Sequence, residues 1–129
     1  MKPLATALGA LCVSAAALAV AGPGQAAGQC FRISDMGGWR VTPDAQTMYM
    51  RMRTRDVYEV RLRGACPQLK HVGVHLVHKV TSDTVCTPLD FDLRVADNGV
   101  PMPAVMCPVA SYRQMTPAEV AALPPKLRP

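Results

Sequence analysis

The sequence predicts an all-β domain, a small antiparallel barrel or sandwich of about five to six strands with a short C-terminal helix and two disulfides. Three observations indicate this class: runs of alternating apolar and polar residues, turn residues between those runs, and four widely spaced cysteines behind an export signal. Strict period-two alternation is typical of strands that bury one face, and turn residues mark where the chain reverses.

The amino-terminal residues have the three parts of a cleaved secretory signal. Lys2 supplies a positive charge, an apolar run extends over residues 4–21, and small residues close it. We expect a signal peptide of residues 1–21, with an alternative cleavage site as late as residue 27. The run is rich in alanine and is followed by Gly-Pro-Gly, which argues against a retained membrane span. The chain should therefore be periplasmic or secreted, with residues 28–129 forming a single domain and no transmembrane segment.

Four cysteines remain once the signal has removed Cys12: Cys30, Cys66, Cys86 and Cys107. An even number in an exported chain of this length predicts two disulfides. A zinc site would need closely spaced ligand pairs, whereas these cysteines lie 36, 20 and 21 residues apart. Three pairings are open. We favour Cys30–Cys66 with Cys86–Cys107, which would cross-link the two halves of the domain separately.

The stretch "TMYMRMRTRDVYEVRLRG" predicts a β-hairpin with one apolar face and one face rich in arginine. A three-residue loop at 54–56 satisfies both faces. It sets the following pairs: Met52 with Tyr58, Met50 with Val60, Met48 with Leu62, and Arg51 with Glu59. A methionine stripe on such a face is typical of core packing.

Weaker patterns predict the remaining elements. They are a strand near 31–34, a break at Gly37-Gly38, a strand at 39–41, alternation of Leu89, Phe91, Leu93 and Val95 against Asp90, Asp92 and Arg94, and an edge strand within 104–112. The tail predicts a short helix. Thr116 is its N-cap, Pro117 its first residue, Glu119 closes a capping box, and Pro124 ends it.

The stretch "KHVGVHLVHK" contains all three histidines of the chain. On a helix, His71, His75 and His78 would share one face and could hold a metal. On a strand, His71 and His75 would lie about 13 Å apart, with His78 on the opposite face. Alternation of Val72, Val74, Leu76 and Val80 favours the strand. We therefore expect solvent-facing His71 and His75, a half-buried His78 and no metal site.

No catalytic set emerges from the remaining polar residues. Asp90 and Asp92 beside Arg94 are typical of a solvated face. Ser34, Ser82 and Ser111 stand in no G-x-S-x-G context, and bonded cysteines offer no thiolate. We predict that the protein is not an enzyme and needs no cofactor.

Arginines give the hairpin its candidate binding surface: Arg51, Arg53, Arg55, Arg61 and Arg63, beside Tyr49. Only Glu59 and Asp56 offset them. Guanidinium groups bind phosphate and carboxylate in a bidentate manner, so the partner would be an anionic envelope component or an acidic protein. The export signal argues against nucleic acid. A solvated face that serves solubility is the alternative interpretation.

A set of positions resembles a family of short exported bacterial proteins with four cysteines, known only as a domain of unknown function. The set comprises Cys30, Trp39-Arg-Val, Asp44 with Thr47, Tyr58-x-x-x-Leu62, Cys66-Pro-x-Leu69, Cys86 and Cys107. The resemblance spans about 30–123 and implies an exported all-β domain, without supplying an activity or ligand. The histidines and the methionine stripe are not part of it.

These observations predict a small exported envelope protein, a non-catalytic binding or structural module that uses the basic hairpin face. The alternative function is a periplasmic soft-metal carrier that binds copper through methionine and histidine, because thioether sulfur suits Cu(I).

Overall fold

The structure, a computed structural model, describes residues 30–78, 82–99 and 103–129. These residues form nine strands: β1 Phe31–Arg32, β2 Met36–Val41, β3 Thr47–Met52, β4 Val57–Leu62, β5 Val74–His78, β6 Thr84–Val85, β7 Leu93–Asp97, β8 Val105–Met106 and β9 Val109–Gln114. The all-β class with a C-terminal helix and two disulfides is confirmed. Short strands raise the count above the predicted five to six. The predicted signal peptide, residues 1–21, lies outside the described residues.

The strands pair in three antiparallel sheets that share one hydrophobic core. The sheets have the orders β1-β6, β2-β3-β4-β9 and β5-β7-β8. Phe31 of β1 packs between the four-stranded sheet and the segment before β7, because its ring lies 5.1 Å from that of Tyr58, 5.4 Å from Phe91 and 5.2 Å from Tyr112. The predicted proline-rich edge strand is divided into β8 and β9, and each lies at the edge of its sheet.

The β3–β4 hairpin forms as predicted, but its register differs. Met50 pairs with Tyr58, Met48 with Val60 and Tyr49 with Glu59, two residues away from the predicted pairs. Arg55 adopts a left-handed φ of 74°, and its N–H donates to the Met52 carbonyl at 3.0 Å. The three-residue loop is therefore 53–55 rather than 54–56. A shift of two preserves the faces, because side chains alternate with period two.

Two apolar residues that alternation placed inside are exposed. Val72 is 99% exposed, because Gly73 turns the chain at φ +84° and the strand begins only at Val74. Leu89 is 86% exposed, because Pro88–Asp90 form a 3-10 turn instead of extended strand. Val80, predicted to share the inner face, lies outside the described residues.

The glycine pair at 37–38 does not break the chain as predicted. Both glycines belong to β2, and the pairing with β3 shifts register between Met36 and Gly38. A local irregularity of this kind lets a strand continue past residues that pack poorly, at the cost of one distorted pair.

The favoured disulfide pairing is wrong: the bonds are Cys30–Cys86 and Cys66–Cys107. Strand pairing explains both. Cys30 precedes β1 and Cys86 follows β6, and these two strands are antiparallel neighbours. Cys66 follows β4 and Cys107 precedes β9, which are also antiparallel neighbours. Each bond therefore links the first half of the domain to the second.

The C-terminal helix α1, Pro117–Ala122, has the predicted start and ends before Pro124. The Thr116 N–H donates to the Glu119 carboxylate at 2.7 Å, and the Glu119 N–H donates to the Thr116 hydroxyl at 3.3 Å. Beyond it, a 3-10 turn at Pro125–Leu127 lies against β2. Since α1 follows β9 at one edge and this turn reaches β2 at the other, the tail crosses the outer face of the four-stranded sheet.

Candidate functional site

The outer face of the four-stranded sheet carries a row of polar side chains. Arg40, Tyr49, Glu59 and Arg113 lie directly opposite one another on β2, β3, β4 and β9. Glu59 is only 7% exposed; it accepts from Arg61 at 2.8 Å and from Arg113. The row thus has a buried carboxylate at its centre and guanidinium groups around it.

The C-terminal helix adds a second carboxylate to this row. Arg113 donates to Glu119 at 2.7 Å. This hydrogen bond raises the pKa of the Arg113 guanidinium. The pKa of the Glu119 carboxyl is lowered by hydrogen bonds from the Thr116 backbone and from Arg113. The pKa of the Tyr49 hydroxyl is raised by burial and then by the Glu59 charge. The Arg113 end of this outer face is therefore neutralised by Glu59 and Glu119, and it is partly covered by α1.

The structure divides the predicted arginine surface into two groups. Arg51, Arg53 and Arg55 lie at the tip of the hairpin, and all three are exposed. Arg61 and Arg63 lie towards its base, where Arg61 pairs with Glu59 and the Arg63 Nε donates to the Val109 carbonyl at 3.4 Å. Val57 and Arg61 are four residues apart on β4, so Arg61 stands about 13 Å along the strand from Arg51, which is opposite Val57.

The tip group is unpaired within the described part of the chain. None of its three guanidinium groups forms a salt bridge with a described carboxylate, whereas Arg32, Arg61, Arg94 and Arg113 all do. Asp56, the carboxylate nearest in sequence, instead accepts from Thr54 at 2.7 Å and from Gln114 at 3.0 Å.

A groove of about 470 Å³ runs along β2, an edge strand of the four-stranded sheet. We name it the β2 groove. It is lined by Gly38, Trp39, Arg40, Val41, Leu69, Lys70, His71 and Val74. The Trp39 indole N–H donates to the Leu69 carbonyl at 3.4 Å, and the Lys70 ammonium donates to the Pro43 carbonyl at 2.9 Å. Among the described residues that line it, three are basic and none is acidic.

Sequence reasoning did not identify the β2 groove. Its two basic segments, at Arg40 and at 70–71, are thirty residues apart in the chain. A Trp-Arg pair within a strand and a Lys-His pair after a turn were the only signals. Nothing in either segment indicates that they face each other, because that depends on how the sheets pack.

A second cavity of about 230 Å³ lies between the four-stranded sheet and β5. We name it the inter-sheet cavity. It is lined by Ile33, Met36, Gly37, Gly38, Trp39, Met50, Leu76 and His78. The His78 ring stacks on Phe91, with centroids 5.7 Å apart. Both ring nitrogens are buried, and no described residue forms a hydrogen bond of ordinary geometry with either.

Burial lowers the pKa of His78, although the Asp92 carboxylate, the nearby Asp92 backbone and Asp83 all act to raise it. The direction follows because the imidazolium loses its hydration in the cavity without gaining a strong acceptor. Burial therefore favours the neutral form of the ring, which keeps one nitrogen lone pair.

The other predicted candidates are placed as follows. His71 and His75 are exposed, as predicted, although His71 precedes the strand. Asp90 accepts from the backbone N–H groups of Cys86 and Thr87, which lowers the pKa of its carboxyl. Asp92 pairs with Arg94 at 3.0 Å. Within the described ranges, no three His, Cys, Asp or Glu side chains gather as metal ligands.

The methionine stripe packs as predicted. Met48 and Met50 are fully buried and Met52 is 3% exposed. Met50 lines the inter-sheet cavity, and so does Met36, which the sequence did not single out.

Searches of family models, of curated proteins and of solved structures found no protein that matches this chain. Over the described residues, none of the helices has both the length and the apolar character needed to cross a membrane.

Proposed function

We propose that this is a small exported envelope protein that binds an anionic envelope component and catalyses no reaction. Its contact surface is the basic hairpin face, extended into the β2 groove. One observation carries the proposal: Arg51, Arg53 and Arg55 stand exposed without a described carboxylate partner, whereas Arg61 and Arg113 share Glu59. Unpaired guanidinium groups remain available for phosphate or carboxylate.

Export is supported by the predicted signal and by the two disulfides. Bonds that join distant segments persist in an oxidising compartment and are rare in the cytosol. The resemblance to short exported proteins with four cysteines agrees with this location.

The tip group and the β2 groove are parts of one continuous surface. Arg51 pairs directly with Gly38, which lines the groove, and Arg40 follows two residues later on the same strand. Neighbouring strands lie about 5 Å apart, and a strand advances about 3.3 Å per residue. Positive charge therefore continues from the tip past Arg40 to Lys70. Arg61 and Arg63 extend the face at the base, but we expect a smaller contribution there because Arg61 is paired.

The shape of this surface favours an extended polymer over a flat membrane. A bilayer could contact the protruding tip, but it could not enter a groove whose basic side chains come from β2 and from residues 70–71. A polymer that carries phosphate or carboxylate groups could contact both. The Trp39 side chain on the groove wall offers an apolar surface to the uncharged part of such a chain.

The test is titration of the protein with polyphosphate and with polyglutamate at low and at physiological salt. The tip variant carries Arg51→Gln, Arg53→Gln and Arg55→Asn, since asparagine tolerates the left-handed φ at position 55. Each basic residue near an anionic surface contributes about 1 kcal/mol, so we expect the affinity to fall on the order of 100-fold.

The matched control removes the same charge away from this surface, through Arg32→Gln, Arg94→Gln and Arg128→Gln. At physiological salt its affinity should change by less than about threefold, because exposed charges beyond a Debye length are screened. Equal weakening by both variants would show that net charge alone is responsible. Binding to anionic phospholipid vesicles but to neither polymer would overturn the polymer in favour of a lipid surface.

A further inference from the structure

The inter-sheet cavity brings together three soft donor side chains from distant parts of the chain. Met36 of β2 and Met50 of β3 belong to the four-stranded sheet, and His78 of β5 belongs to the three-stranded sheet. These three residues thus line one space from two different sheets.

His78 gives an independent reason to expect a ligand there. Buried polar atoms are nearly always hydrogen-bonded, and one that is not needs an explanation. Both ring nitrogens are buried, with no hydrogen-bond partner among the described residues. Stacking on Phe91 satisfies the ring face but not the nitrogens. A bound cation would use one of these lone pairs.

The chemistry of the lining selects the cation. Thioether sulfur prefers Cu(I), and imidazole binds copper as well. The described lining contains no carboxylate or thiolate, so its donors are uncharged, and a divalent ion would remain uncompensated in a largely apolar site. We propose that Met36, Met50 and His78 form a binding site for a monovalent soft metal ion, Cu(I) or its analogue Ag(I).

Size and surrounding charge agree with this occupant. The cavity, about 230 Å³, is smaller than the 300–1,000 Å³ typical of sites for organic ligands. Methionine has three rotatable bonds and adapts to irregular space, so the thioethers can close on an ion. Outside the lining, the Asp92 and Asp83 charges act on His78 in the direction that favours a cation, although each is already paired with an arginine.

This inference does not depend on the proposed polymer binding. The three donors line the inter-sheet cavity, whereas the tip arginines lie outside it. Removing one set of side chains therefore leaves the other in place, and either proposal can fail alone.

Trp39 lines the same cavity and is the only tryptophan of the chain, so it reports on the site directly. We would titrate the mature, disulfide-bonded protein with Ag(I), following Trp39 fluorescence, and with Cu(I) against a competing chelator. We expect one ion per chain, a change in Trp39 emission that saturates at that ratio, and a higher Tm with metal, because an ion that binds only the folded state stabilises it.

Met36→Leu, Met50→Leu and His78→Phe should each lower the affinity at least about tenfold, since even outer-shell changes at metal sites cost 10–100-fold. Met48→Leu and Met52→Leu are the matched controls in the buried stripe, and His75→Gln is the control for an exposed imidazole. All three should bind as the parent does. Leucine for methionine conserves volume and is well tolerated in cores.

A second measurement needs no variant. In protein labelled with ¹³C at the methionine methyl groups, Ag(I) should shift the Met36 and Met50 signals and leave those of Met48 and Met52 in place. The proposal is overturned if neither ion binds stoichiometrically, if the controls weaken binding as much as the cavity variants do, or if the shifted methyl groups lie elsewhere.

Discussion

The β3–β4 hairpin of the four-stranded sheet and strand β5 of the three-stranded sheet bury their inner faces to different extents. On the hairpin, Met48 and Val60 are fully buried, and the buried Glu59 has two guanidinium partners. On β5, Leu76 is half-buried and the buried His78 nitrogens have no described hydrogen-bond partner of ordinary geometry.

This difference separates a scaffold from a region with unused binding capacity. A buried group whose hydrogen bonds are complete stabilises the fold and offers nothing to a ligand. A buried polar group that lacks hydrogen-bond partners lowers the stability of the fold until a ligand binds it. The cavity lies where β5 faces the four-stranded sheet. Three measurements test this contrast.

The largest effect should come from truncating the scaffold. Met48→Ala removes a fully buried side chain and should lower the free energy of unfolding by about 2–5 kcal/mol. Leu76→Ala removes a half-buried side chain that already borders a cavity, so about 1–2 kcal/mol is expected. Urea denaturation of both variants measures the ratio. Equal losses of unfolding free energy would mean that β3 and β5 are packed equally tightly, which would contradict the contrast between them.

An intermediate effect should appear in the pH dependence of metal-free protein. The pKa of His78 is lowered from 6.5 by burial, so below this value the unfolded chain binds a proton that the folded chain resists. The contribution of neutral His78 is complete above about pH 6.5 and is lost as the pH falls. Urea denaturation at pH 7.5, 6.5 and 5.5 should show stability declining with acidity.

The matched variants identify the group responsible. His78→Phe keeps a ring against Phe91 and should flatten this decline, whereas His75→Gln, at an exposed position, should leave it unchanged. Asp92 and Asp83 are the charges that act on His78, and both remain in either variant. An unchanged slope in the His78 variant would show that other groups cause the pH dependence.

The smallest effect should come from Val72, an apolar residue that the alternating sequence pattern predicted to face the core. Val72→Ser should change the free energy of unfolding by less than about 0.5 kcal/mol, because Val72 is 99% exposed. Val74→Ser, two residues later and packed against the core, should cost about 1–2 kcal/mol. Similar losses at both positions in thermal and urea melts would show that the strand begins earlier than Val74.

Sequence patterns were most informative where they were local. The hairpin faces, the helix start at Thr116 and the edge position of the last strand depend on neighbouring residues, and all three were predicted. The hairpin register was not, because Arg55 adopts a backbone conformation usual for glycine. Leu89 was misplaced because the Asp90 carboxylate caps a turn in a segment whose alternation resembles a strand.

The candidate sites were less predictable than the fold. Arg51, Arg53 and Arg55 follow from the hairpin alone, but the pairing of Arg113 with Glu59 and Glu119 depends on how β9 and α1 are placed. Met36 carried no signal of its own, and Met50 and His78 belonged to separate patterns. Only the packing of one sheet on the other places them around one cavity.

The chain by itself determined the all-β class, the cross-linked cysteines and the division of the hairpin into apolar and arginine-rich faces. These properties follow from side-chain periodicity and from the chemistry of single residues, which act over a few positions. Tertiary packing fixed which cysteines bond, that Arg32 pairs with Asp83 and Arg113 with Glu59, and which donors share a cavity. These pairings join residues that are distant in the chain, and their proximity is set by how the sheets bury a common core.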